Sequence, residues 1–366
     1  MLCAAQMTGS VMVSKVDIVI ESPTIHGLSA APETIHMWFK NIRIYRFTKP
    51  FTLSAEELNE ALATDAFVPC GSQDQKRIGW VSPISGQVEQ NGFVHANQNY
   101  IMVCAKRQEK ILPTAVVNEF LAEKVSTIED AEDRKVGRKQ RLQLKDEVMM
   151  DLLPKAFTRS QLQYAYIAPE QGYLVVDAAS ATRAEELINT LRDTLGSMAV
   201  VPLSGLQQPV DAMTSWVTNS LAPENTLLGE ECELADAKEA GSVIRCKQQD
   251  LASTEIANLL ASGMLVTKLA LSWMEGVSFM LDEQLAIKRL RFEDKIREKT
   301  DDVNAETLAE QFDIEFAVMT IELSALINDL MASLGGVKTE TASVEEIVAK
   351  ATRDEADNTD VEEVSF

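Results

Sequence analysis

The side chains of this chain best placed to do chemistry are cations at strand-like and helical spacing. Lys106, Arg107 and Lys110 follow an apolar stretch that ends at Cys104. Lys155 and Arg159 flank Phe157, and Arg245 and Lys247 alternate around Cys246. Alternation puts such residues on one face of a strand. A further concentration runs Lys288, Arg289, Arg291, Lys295, Arg297, Lys299, in which alternation places Arg289 and Arg291 on the same side. Long flexible cations neutralise phosphates, and several clusters that converge can position a nucleic-acid backbone without reading its bases. Taken singly, a basic run usually makes solvated, salt-bridged surface, so convergence is the requirement. Phe157, set between cations, can stack on a base or fill a partner's pocket. It can equally anchor a turn into the core.

Other chemistries find little support. Five Cys stand at 3, 70, 104, 232 and 246 without a CxxC pair, and three His stand at 26, 36 and 95. That set has no zinc-ligand spacing and suits small buried thiols in a reducing compartment. A magnesium site built from distant carboxylates stays open, without residues to nominate. Cys70 after Pro69 reads as a structural thiol rather than a nucleophile. No Gly-rich stretch matches a P-loop or dinucleotide fingerprint. No recognition-helix or zinc-finger pattern is present, so base-specific readout is not expected. The formal net charge of −22 argues against a polyanionic partner. Far-field charge does not decide where the cations sit, however, and a surface can be basic within and acidic without.

The elements that must hold these residues read as follows. The chain has 366 residues, 46% hydrophobic and 25% charged, enough for two or three cores. No apolar run is long enough for a membrane span, and no basic-then-apolar leader opens the chain. Residues 1–36 are rich in Ser, Pro and small side chains and read as an extension or an upstream start. From Met37, MWFKNIRIYRFTKPF reads as a partly exposed strand. Ser54 and Glu57 form a capping-box signal for a helix. Residues 67–80 read as a loop entering a strand, 99–104 as a strand, and 115 to about 153 as helical and very polar. Strands are expected at 164–166, 173–176, 198–201, 241–250, 264–273, 277–281 and 285–292. Helices are expected at 182–195, 209–218, 254–262 and 307–334, the last with one break. Residues 339–366 hold nine acidic residues against Lys350 and Arg353 and read as a disordered acidic tail. As a polyanion it could compete for a basic channel. The class is α+β.

Several segments together resemble the recombination-associated protein RdgC family. They are MWFKNIRIYRFTKPF at 37–51, FVPCGSQDQKRIGWVSP at 67–83, KRQEKILP at 106–113 and LKDEVMMDLLPKAF at 144–157. LRDTLGSMAVVPL at 191–203, VIRCKQQDL at 243–251, VTKLALSW at 266–273 and FDIEFAVMTIELSALINDLMASLGG at 312–336 complete the set. The resemblance spans Met37 to about Gly336. It implies a horseshoe-shaped, multi-domain subunit with mixed or antiparallel sheets and long helices, pairing into a ring-shaped homodimer with a basic hole. It implies a base/centre region at 37–114, a charged helical connection at 115–160, a middle and tip region at 161–240, and a returning centre/base region at 241–336. Residues 1–36 and 337–366 lie outside it. The implied function is binding of single- and double-stranded DNA without sequence preference, which restrains RecA in recombination and replication. The implied protein is nucleoid-associated, cytoplasmic, not an enzyme, and without cofactor or membrane partner. The family's exposed aromatic falls on Phe157. Lys155, Arg245 and Lys247 sit in matching motifs. Met264 and Gln248 stand where the family can carry Lys, which puts those two positions in doubt as DNA contacts. Two other readings stay open: a scaffolding protein acting through its interface, and a magnesium-dependent DNA-processing enzyme.

Overall fold

The computed structural model describes residues 38–89, 92–236, 241–301 and 305–338. The expected N-terminal extension and acidic tail lie outside the described residues, apart from Val337 and Lys338. In chain order the elements are β1 (Ile42–Phe47), α1 (Ala55–Thr64), β2 (Lys76–Val81), β3 (Val94–Asn97), β4 (Tyr100–Lys110), α2 (Thr114–Glu132) and α3 (Arg138–Leu152). Next come β5 (Thr158–Ala168), β6 (Tyr173–Asp177), α4 (Ala181–Leu195), β7 (Val200–Pro202), α5 (Pro209–Thr218), β8 (Thr226–Asp236) and β9 (Val243–Lys247). The last are α6 (Thr254–Ala261), β10 (Met264–Trp273), β11 (Val277–Asp282), β12 (Ile287–Phe292), α7 (Asp294–Asp301) and α8 (Leu308–Ser333).

The strands form one sheet in the order β2-β4-β5-β6-β1-β12-β11-β10-β8-β9, with β3 on β4 and β7 on β1. Every strand pair is antiparallel, as short connections between sequential strands favour. The fold is therefore α+β. The two halves of the sheet meet at β1 and β12, where Ile42 opposes Ile287. Leu290 N donates to Lys40 O at 2.9 Å and Arg289 N to Asn41 Oδ1 at 3.2 Å, extending that seam.

Alternation decides which face each half buries. In the β2–β1 half, Tyr45, Ile101, Val103, Ile167, Leu174 and Val176 pack under α1 and α4. The alternate positions, among them Met102, Tyr166, Tyr173 and Val175, pack beneath α8. This half is thus covered on both faces. In the β12–β9 half only one face is covered among the described residues. Leu234, Val266, Leu269, Leu271, Phe279, Leu281 and Leu290 join the α8 core, with Met213 of α5 and Ile256 of α6.

The capping box expected at α1 is formed: Glu57 N donates to Ser54 Oγ at 3.2 Å and Ser54 N to Glu57 Oε2 at 2.8 Å. Leu308–Ser333 runs without the expected break. α8 is one 26-residue helix, begun by a second capping box between Thr307 and Glu310. Phe312, Phe316, Met319, Leu323, Ile327 and Leu330 recur at three- and four-residue steps and make one buried stripe. The polar stretch 115–153 is not one helix but a hairpin. Asp133 takes a left-handed φ of 46° and Gly137 caps α3. Val117 and Leu121 are the buried residues of α2 and Leu144 and Val148 those of α3, while Phe120, Leu142 and Met150 stand exposed among the polar residues of the other faces. β4 and β5 are each longer than expected, running on as polar ladders to Lys110 and back from Thr158.

Candidate nucleic-acid interface

The uncovered face of the β12–β9 half is where the cations converge. β8 and β9 pair with Glu231 opposite Lys247 and Glu233 opposite Arg245. Residues directly opposite share a face. On β10, Lys268 opposes Glu233. On β12 strict alternation would place Arg289 on the same side as Ile287. A bulge intervenes: Ser278 pairs with Arg291 but Met280 with Lys288, and Arg289 has φ 52°. The extra residue resets the phase. Ile287, Leu290 and Phe292 are buried, while Arg289 and Arg291 are exposed.

Two carboxylates organise this face. Glu233 accepts from Arg245 Nε at 2.8 Å and from Lys268 Nζ at 2.7 Å. Burial pulls its carboxyl upward, and the bonds from Arg245 and Lys268 outweigh this, holding it below the ordinary range. Glu231 accepts from Arg289 Nη2 at 2.8 Å. That hydrogen bond is the main cause that lowers the Glu231 carboxyl, and the charges of Lys247 and Arg291 add to it. β12 and β8 are three steps apart in the sheet, so Arg289 closes across the face between them. Arg245, Lys247, Arg289 and Arg291 therefore belong to one cationic surface, and Arg245 remains 70% exposed despite its bridge. Lys288 instead supports a turn. Its Nζ lies 2.8 Å from Asp282 Oδ2, and Asp282 Oδ1 accepts from the backbone of Gln284 and Ala286.

The β4 cluster is split by the sheet. Lys106 and Lys110 share one face, with Lys106 Nζ 5.2 Å above the Phe67 ring and Lys110 Nζ donating to Leu153 O at 3.0 Å. Arg107 points to the other face, 2.7 Å from Glu109 and 3.3 Å from Glu186 on α4. Glu186 also meets Lys76 at 2.6 Å and Arg183 at 3.4 Å. Burial pulls the Glu186 carboxyl up, and the Lys76 bond with the charges of Arg107 and Arg183 holds it low. These cations are drawn into local structure. Arg159 opposes Glu109 and is exposed.

Lys155 and Phe157 stand where the α2–α3 hairpin returns to the sheet. Phe157 is 85% exposed, so it does not anchor a turn in the core. Its backbone does the anchoring: Ile111 N donates to Phe157 O at 2.7 Å. Lys155 lines a groove of about 640 Å3 together with Phe120, Ile128, Leu144, Val148 and Asp151. Lys155, Phe157 and Arg159 follow one another along the chain and are all exposed. Among the described residues no group of three or more His, Cys, Asp or Glu is arranged to hold a metal ion, and no helix is long and apolar enough to cross a membrane.

Sequence reasoning did not single out Glu231, Glu233 or Lys268, because β8 was not recognised as a strand. Its signal was present. Glu231 and Glu233 alternate with Cys232 and Leu234, a period of two that runs for only these four residues before Gly229 and the register shift opposite Ala270 interrupt it.

Comparison with known proteins agrees with the segments quoted above. Residues 37–337 match a family model described as "Putative exonuclease, RdgC". A protein of Aeromonas hydrophila subsp. hydrophila is 46% identical over 300 residues, which cover 82% of this chain and 98% of that protein. One of Tolumonas auensis is 43% identical over 304 residues, 83% of this chain and all of that protein. One of Yersinia pestis is 42% identical over 301 residues, 82% of this chain and 98% of that protein. Each carries the name "Recombination-associated protein RdgC", which states a process and no enzymatic activity. With the family match running from Met37 through β1 to the end of α8, this chain belongs to the RdgC family.

Proposed function

We propose that this protein binds single- and double-stranded DNA without sequence preference and acts in recombination and replication by limiting RecA-promoted strand exchange. The observation that carries the reading is the uncovered sheet face on which Arg245, Lys247, Arg289 and Arg291 converge. A β surface of cations with no protruding recognition element contacts phosphates and leaves base edges unread. The family resemblance supplies the rest: a horseshoe-shaped subunit, pairing into a ring-shaped homodimer, nucleoid-associated in the cytoplasm. In that frame residues 37–114 and 241–336 are base and centre, 115–160 the charged helical connection, and 161–240 the middle and tip. A net charge of −22 is compatible with this, because the acidic residues need only face away from the DNA. The test is duplex binding across a salt series, with solution mass recorded at each step. Length-dependent, sequence-independent affinity that falls steeply with salt supports the reading. A folded dimer without affinity at low salt moves the function to protein contacts, and magnesium-dependent cleavage moves it to the exonuclease of the family description.

Two variants follow. Glu231→Gln with Glu233→Gln removes the carboxylates that phosphates must displace. Duplex affinity is expected to rise by roughly five- to tenfold at low salt, with the gain shrinking as salt increases. Titration of both proteins at two salt concentrations checks this, and a loss of affinity would show that the carboxylates serve mainly to position Arg245 and Arg289. Phe157→Ala is expected to change stability by less than about 0.5 kcal/mol, because the side chain buries little surface. It is expected to weaken DNA binding or self-association by roughly tenfold, as loss of an exposed aromatic anchor does. Analytical ultracentrifugation beside the binding assay separates the two.

A further inference from the structure

Cys232 on β8 and Cys246 on β9 are direct register partners at the edge of the sheet. Asp236 N donates to Ser242 O at 3.1 Å, and counting back by twos places Cys232 and Cys246 in the hydrogen-bonded phase of the ladder. Such a pair has Cα atoms about 5.5 Å apart, inside the roughly 4.4–6.8 Å that a disulfide spans. Both side chains lie on the core face, opposite Arg245 and Lys247, which flank Cys246 in sequence. Cys232 is 3% exposed and Cys246 only partly covered. The Cys232 and Cys246 thiols face one another across the ladder, and neither is in a disulfide. The other described cysteines have no such partner: Cys104 opposes Val81 and Tyr164, and Cys70 donates from Sγ to Gln108 O at 3.3 Å.

We propose that Cys232 and Cys246 form a redox modification site, oxidised by a hydroperoxide to an intramolecular disulfide that staples the edge strand β9 to β8. Cys246, the more accessible thiol, reacts first. Its sulfur attacks one peroxide oxygen, the O–O bond breaks, and with hydrogen peroxide one water leaves and Cys246 becomes a sulfenic acid. The Cys232 sulfur then displaces the sulfenic hydroxyl, which departs as a second water with the Cys232 proton. The two sulfurs give up two electrons and the peroxide takes them. Burial, then the neighbouring Cys246 thiol, pushes Cys232 up to about 12, so it resolves rather than initiates. The site stands on the cysteine geometry alone, whether or not the opposite face binds DNA.

The test treats the full-length protein with limiting hydrogen peroxide, blocks remaining thiols, and maps peptides by mass spectrometry without reduction. The expected product is a peptide pair joined through Cys232 and Cys246 and lacking two hydrogens. Amide exchange in β9 is expected to slow by about tenfold or more and to recover on reduction, because the crosslink removes local opening of the edge strand. Cys246→Ser abolishes the linked pair. Cys232→Ser leaves Cys246 as a sulfenic acid trapped by dimedone. Cys246 that instead stays reduced, passes directly to the sulfinic acid, or links to another cysteine in the unsubstituted protein overturns the proposal.

Discussion

Replacing Arg245, Lys247 and Arg291 together with Ala is expected to weaken duplex binding by about a hundredfold near 0.1 M salt and to flatten the slope of log affinity against log salt by about 3. Each cation that meets a phosphate releases close to one counterion, so three lost contacts change the slope by about that number. The three side chains are exposed and the backbone ladder that carries them is untouched, so the fold should survive the change. Glu233 keeps Lys268 at 2.7 Å, and Glu231 keeps Arg289 at 2.8 Å. Both carboxylates then face the ligand with fewer cations beside them, which adds to the loss. Arg107→Ala is the matched control. Arg107 is 19% exposed and held between Glu109 and Glu186, so its removal should alter stability far more than the salt slope. Binding isotherms at four salt concentrations decide the matter. An unchanged slope in the triple variant would remove this sheet face from the DNA path and direct attention to Lys155, Phe157 and Arg159.

Phe316→Ala is expected to destabilise the protein by about 3–5 kcal/mol, the cost of a large buried aromatic truncated in a packed core. The ring is fully buried in the middle of the α8 stripe. It stands 5.5 Å from the His95 ring on β3 and 6.3 Å from the Tyr166 ring on β5, both in edge-to-face arrangements. Tyr166 in turn packs on Phe39 at 5.9 Å. The cavity would thus open where α8, β3, β5 and the segment preceding β1 meet, and few small side chains are at hand to collapse into it. Urea denaturation should show a lower midpoint at nearly the same slope. A loss under about 1 kcal/mol would mean that α8 relaxes into the space and that its docking is less specific than the geometry implies.

Much of this fold is legible in the amino-acid sequence. Helices with a strong apolar period and a cap were read to within a residue or two: α4, α5, α6 and the capping box of α1. β10 and β11 were equally plain, because they are rich in apolar residues with short turns between them. The failures share a cause. β4 and β5 extend as polar ladders beyond their apolar halves, and hydrogen bonding across the pair continues where hydrophobic patterning stops. The hairpin α2–α3 lies in a stretch whose helical propensity is interrupted only at Gly137, where α3 begins, and the left-handed Asp133 that ends α2 carries no such signal. β8 went unrecognised because its alternation is broken by the irregular register against β10.

The α+β class, the family from Met37 onward, the chemistry available to the cations, and the alternation that puts Arg245 beside Lys247 on one face all follow from the residues alone. Those properties are local, set by side-chain type and by periods of two or of three to four residues. Which cations come together is set by long-range packing. Lys106, Arg107 and Lys110 are close in sequence, yet the sheet divides them and ties Arg107 to Glu186. Arg245 and Arg289 are far apart in sequence, and antiparallel pairing through β8, β10 and β11 brings them to one uncovered face, around Glu231 and Glu233. The physical reason is that covering a sheet face is a long-range event. Whether α1, α4 or α8 lies over a given strand depends on chain connectivity across the whole fold, and no local pattern of charge records it.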